Sequence, residues 1–191
     1  MRRVIFALSL ALATPALAEP LLSEASGNWA GPSNGGFFFR AELRQAGATA
    51  RLQIWNGNDG VPTGGDVQFD NAEIALSAYA TAQRLEVFEV PKGSILQVVT
   101  EFADEAAEGR EVVQIQYLDN QFTVIGYYHQ STGYNPGGAP IPYECEVDLR
   151  AGKATVNGAT TDLPPMDFEA QNASDWRYGA AFDRGFCPRI E

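Results

Sequence analysis

An all-β, antiparallel domain is what this sequence predicts, closed as a barrel in preference to a two-sheet sandwich. Three observations carry that reading. Apolar and polar side chains alternate with period two along most of the chain, short runs of this kind are punctuated at regular spacing by turn residues, and helical spacing of apolar positions nowhere lasts three turns.

The chain of 191 residues begins with Arg2-Arg3, an apolar run from Val4 to Thr14, and Pro15-Ala16-Leu17-Ala18. A basic head, a short hydrophobic centre and a small-x-small ending make a secretory signal peptide. Residues 1–18 are therefore expected to be removed on export to the periplasm or cell exterior, leaving 19–191 as a single all-β domain. The apolar run is too short to cross a bilayer and no later stretch approaches the roughly 20 apolar residues needed, so no membrane insertion is expected.

The first clear strand runs through Gly36 to Arg44, where Phe37, Phe39, Ala41 and Leu43 share one face and Phe38, Arg40, Glu42 and Arg44 the other. Gly47 turns the chain, and Ala50, Leu52 and Ile54 return opposite Arg51, Gln53 and Trp55. Leu85 and Val87 alternate with Arg84 and Glu86, Pro91-Lys92-Gly93 punctuates, and Ile95 to Phe102 resumes as a run rich in β-branched residues. Val113, Ile115 and Tyr117 alternate with Gln114 and Gln116, Asp119-Asn120 turns the chain tightly, and Phe122 to Tyr128 comes back. Tyr143, Cys145, Val147 and Leu149 oppose Glu144, Glu146, Asp148 and Arg150, so that strand has a wet outer face. Ala151-Gly152 leads into Lys153 to Val156, and Asn157-Gly158 is the strongest short hairpin signal in the chain.

Three segments lack this pattern. Asn56 to Asp66 and His129 to Pro142 are dense in Gly and Pro and are expected to be loops. Glu101 to Glu111 carries five acids and is expected to be a solvated connecting turn. Residues 162–186 read as an irregular segment with weak helical potential around Asp167 to Asp175. Cys145 and Cys187 are the only cysteines, and an even count in an exported chain predicts one disulfide between them, tying that segment to the sheet.

Lys and Arg number 13 against 24 Asp and Glu, a net charge of −11 that argues against nucleic acid and anionic membrane faces as partners. Ser26-Gly27-Asn28-Trp29-Ala30-Gly31 resembles the Gly-x-Trp motif of lipocalins and other calycin-type barrels. That resemblance implies an up-and-down barrel with Trp29 packed across its closed end. In the C-terminal third, Tyr143-Glu144-Cys145 through Arg150 to Asn157-Gly158, with Leu163-Pro164 and a late Cys187, resembles periplasmic inhibitors of C-type lysozyme. Those are also stapled antiparallel barrels. Ser174-Asp175-Trp176 departs from their Ser-Gly inhibitory pair.

No catalytic set is assigned. The single His, His129, lies at the start of a Gly/Pro-rich loop, and no Gly-x-Ser-x-Gly elbow accompanies it. One His and two distant Cys do not make a zinc site. The oxygen donors of Asn56-Gly57-Asn58-Asp59-Gly60, with Asp66 nearby, lack the alternation and distal Glu of an EF-hand, and turn chemistry explains them. No metal and no cofactor is expected.

Aromatic side chains are the remaining lead. Trp29, Phe37, Phe39, Tyr117, Phe122 and Tyr128 are placed inward, as ligand contacts in a barrel mouth or as packed core. Phe38 and Trp55 fall on the outer parity as a surface patch. The expected function is non-enzymatic binding of a small apolar or amphipathic ligand, with the 56–66 and 129–142 loops controlling access. The alternatives are a protein-interaction module or inhibitor in the cell envelope, and a carbohydrate-binding or carbohydrate-active β-sandwich.

Overall fold

Alternation builds the strands where it was read. In the computed structural model, which describes residues 18–31, 34–105, 107–135, 137–166 and 171–189, two antiparallel sheets enclose one core. The first is a meander of β1 (Leu21–Asn28), β2 (Phe38–Ala46), β3 (Thr49–Gly57) and β4 (Phe69–Leu76). The second continues with β5 (Ala80–Val90), β6 (Gly93–Ala103), β7 (Ala107–Leu118) and β8 (Gln121–Tyr134). It ends in β9 (Pro140–Asp148), β10 (Lys153–Val156) and β11 (Ala159–Asp162), each strand pairing with its sequence neighbour. Residues 1–17 of the expected signal peptide lie outside the described residues, as do 167–170 of the segment given helical potential. No described helix is long and apolar enough to cross a membrane.

The expected barrel is not formed, because the two sheets are joined by side chains and by the C-terminal segment rather than by closing ladders. Along one seam β1 lies beside β5, and the Leu85 amide donates to Ser23 Oγ at 3.0 Å where a ladder carbonyl would stand. Asn28 N donates to Ser94 Oγ at 2.9 Å farther along the same seam. Gly93, at φ +121°, leaves the space that the Trp29 carbonyl occupies; any Cβ there would collide with it.

Across the molecule the C-terminal segment fills the gap between β4 and β8. Asn71 Nδ2 donates to the carbonyls of Ala173 (2.8 Å) and Trp176 (2.6 Å), Tyr178 N donates to Glu73 O (2.9 Å), and Asn172 forms a bridge with Thr123. Trp176 is buried in the core beneath Arg184, and a single helical turn α1 (Ala180–Asp183) follows. The Cys145–Cys187 disulfide is present, with 5.9 Å between its Cα atoms, and fixes the end of this segment to β9.

Turn chemistry follows the sequence. Asp119 and Asn120 both have positive φ, as do Asn157 and Gly158, the geometry of tight two-residue hairpins. The expected 129–142 loop is shorter than read. β8 runs on to Tyr134 and β9 begins at Pro140, so His129 and Ser131 belong to a strand.

Candidate functional site

One inner face carries two different environments. Along β7, Tyr117, Ile115, Val113 and Glu111 point inward. On β8 the inner set begins with Phe122 and Val124, and a bulge opposite Gln114/Ile115 then inserts Ile125, so that Tyr127, His129 and Ser131 continue it. At about 3.3 Å per residue, Glu111 stands roughly 20 Å along β7 from Tyr117. The sheet is aromatic and packed at one end, polar and hollow at the other.

The packed end holds most of the aromatic residues expected to contact a ligand. Trp29 stacks on Phe39 with ring centroids 4.0 Å apart, and its edges meet Phe122 at 6.1 Å and Tyr117 at 6.5 Å. Phe37 packs on Tyr117 at 5.1 Å, and Phe69, a residue the sequence reading did not single out, closes on Phe122 at 5.0 Å. Trp29 Nε1 donates to Asn56 Oδ1 at 3.0 Å, and Asn56, read as the start of a loop, belongs to the end of β3. These six aromatic residues pack against one another at their end of the core.

Tyr128 is not part of it. The bulge turns Tyr128 to the outer face, where its hydroxyl donates to Glu144 Oε1 at 2.9 Å, and Tyr127 takes the inward position. The Phe38–Trp55 patch is also corrected. Both residues are on the outer face as expected, yet Trp55 is only 8% exposed because Arg40, its cross-strand partner, lies over the ring at 4.4 Å, and Phe38 is half-buried.

The hollow end is a partly open cavity of about 220 Å³. Leu76 ends β4, Tyr79 lies in the turn between the sheets and Ala80 opens β5; Thr100 and Phe102 come from β6, Asp104 from the β6–β7 connection and Ala107 from the start of β7. Glu111, His129 and Ser131 form its polar floor, and Tyr178 of the C-terminal segment its far wall. His129 and Ser131 also face a second, more open cleft bounded by Tyr143, Phe182, Asp183 and Arg189.

The floor is a connected polar row. Tyr127 Oη donates to Glu111 Oε2 at 3.0 Å and lies 3.5 Å from His129 Nδ1, and His129 Nε2 lies 3.2 Å from Ser131 Oγ. Glu111 and His129 are direct cross-strand partners, and Thr100 faces Glu111 from β6. Phe102 stacks on the imidazole at 5.6 Å, and Phe182 meets it edge-on at 5.1 Å. The order carboxylate, imidazole, hydroxyl is that of an acyl-transfer triad, but the geometry is not. Glu111 Oε2 stands 3.8 Å from Nδ1, and Tyr127 rather than His129 takes its hydrogen bond. The β8 residues are in register with both β7 and β9, so their amides lie in the ladders rather than turned toward Ser131.

Sequence reading missed this floor for definite reasons. Glu111 was averaged into an acidic stretch, although its parity with Val113 and Ile115 marks it as inward. Tyr127, His129 and Ser131 share the inward face with Phe122 and Val124 only because of the bulge at Ile125.

Burial, and then the Glu111 carboxylate, push the Tyr127 phenol far above its ordinary range; burial also raises Tyr143 and Tyr178. Folded phenols therefore keep their protons where unfolded ones ionise, above about pH 10. The native state then binds more protons than the unfolded one, so stability is intact below that pH and falls as pH rises through it. Tyr127→Phe is expected to flatten that fall. Urea midpoints of both proteins between about pH 9 and about pH 11 test it, and identical slopes would contradict the assignment.

The chain matches no family model, no curated protein and no solved structure.

Proposed function

We propose that this is an exported, non-enzymatic binding protein that holds one small amphipathic ligand in the cavity between the β5–β8 inner face and the C-terminal segment. One observation carries the reading: a partly enclosed, largely apolar void lies at one end of the inner face, with a few polar side chains converging on its floor. A void of about 150 Å³ suffices for benzene, so this one suits a single ring or a short branched chain with a polar head.

Export is supported by the leader pattern of residues 1–18 and by the disulfide. The lipocalin-type resemblance is compatible with this layout, since Trp29 belongs to the filled end and the ligand to the other. A carbohydrate platform draws no support from the Phe38–Trp55 face, because Arg40 covers the indole.

Benzyl alcohol is the appropriate first probe, followed by calorimetry or ligand-observed NMR. It is expected to bind the wild type with 1:1 stoichiometry and to bind at least tenfold more weakly to Ala107→Phe, which plugs the cavity. Absence of binding to the wild type, or equal binding to the plugged variant, would overturn the reading.

A further inference from the structure

Among the described residues two carboxylates are buried on strands, and they are treated differently. Glu42, 6% exposed, is clamped by Arg40 Nη1 at 2.8 Å and Arg44 Nη2 at 2.5 Å. Glu111, 3% exposed, has no guanidinium or ammonium beside it; among the described residues its nearest basic group is His129, at 3.8 Å, and its hydrogen bond comes from a neutral phenol. Arg189, the cation nearest in the adjoining cleft, is held by Asp183 at 2.9 Å. A buried carboxylate without a fixed countercharge is unfavourable unless something else supplies one.

The cavity is built to accept that something. Glu111 opens into it, and Asp104 adds a second acid at its rim. Its walls present the rings of Tyr79, Phe102 and Tyr178, with exposed faces on Tyr79 and Tyr178. Aromatic faces around a carboxylate attract an organic cation through the ring quadrupole and repel an anion at the same place. Thr100 and Ser131 hydroxyls are acceptors for ammonium N–H groups, and Leu76 and Ala80 offer apolar surface to the rest of the molecule.

We propose that the ligand is an organic ammonium, its cationic head against Glu111 within the aromatic walls and its apolar body toward Leu76 and Ala80. This rests on the binding function proposed above and names its ligand class. The glutamate serves the ligand as Arg40 and Arg44 serve Glu42, with the charges exchanged between protein and guest.

Benzylammonium and benzyl alcohol have the same number of heavy atoms and differ in charge, so calorimetry with the pair at neutral pH separates the two claims. Benzylammonium is expected to bind at least tenfold more tightly, and Glu111→Gln to abolish that preference. Because the variant alters a buried pair, the carboxyl ¹³C resonance of Glu111 in the wild type supplies an independent readout, shifting with benzylammonium and not with benzyl alcohol. Equal affinities and an unmoved Glu111 resonance would overturn the ammonium assignment and leave the binding function standing. Failure of both probes to bind would overturn both.

Discussion

Replacing Trp29 with alanine will lower the stability of this protein by about 4 kcal/mol, the middle of the range for deleting a large buried aromatic. The indole is 4% exposed, stacked on Phe39 and edged by Phe122 and Tyr117. Those neighbours are held by two sheets and have little freedom to collapse into the void. Asn56 Oδ1 also loses its donor. The hollow end lies roughly 20 Å away along the strands, so benzyl alcohol affinity should be unchanged wherever the variant is folded. Urea denaturation and calorimetry check both parts. A loss below about 1 kcal/mol would mean that the aromatic end is not the packed anchor described above.

The paired substitution Cys145→Ser with Cys187→Ser will have a similar thermodynamic cost and a different functional one. Opening a crosslink across 42 residues releases about 4 kcal/mol of chain entropy in the loop-closure treatment. Here the freed segment is the one that carries Tyr178, Trp176 and α1 into the gap between β4 and β8. Hydrogen exchange should therefore rise first over residues 171–189, while β6, β7 and β8 stay protected. Ligand affinity should fall with it, since Tyr178 is a cavity wall. Uniform loss of protection through the seven-stranded sheet would show that the segment is not a separately tethered cover.

Much of this architecture was legible residue by residue. The burial of Phe39, Ala41 and Leu43 against a charged opposite face follows directly from period-two alternation, and Asp119-Asn120 and Asn157-Gly158 sit where positive φ is needed. The disulfide followed from counting cysteines in an exported chain. What failed were properties that alternation cannot encode. A single extra residue at Ile125 exchanges the two faces of β8 beyond it, sending Tyr128 out and bringing Tyr127, His129 and Ser131 in. Whether two sheets close into a barrel depends on long-range packing of β1, β5 and the C-terminal segment, none of which is written in a local period.

The candidate site was hidden for the same reason. Inward aromatics read as ligand contacts or as packed core, because rings suit both, and Trp29, Phe37, Phe39, Tyr117 and Phe122 are close enough to satisfy one another. The polar residues farther along the same strands are the ones left facing a void. Composition described Glu101 to Glu111 as a wet acidic turn, whereas strand parity separates buried Glu111 from exposed Glu108 on β7 within it.

Aromatic ¹³C NMR of the protein titrated with benzyl alcohol tests the central claim most directly, because every ring at both ends of the sheet reports separately. The account predicts saturable shifts at Tyr79, Phe102, His129 and Tyr178, with Trp29, Phe37 and Phe39 unmoved. Shifts confined to the Trp29 cluster, or none at either end, would contradict it.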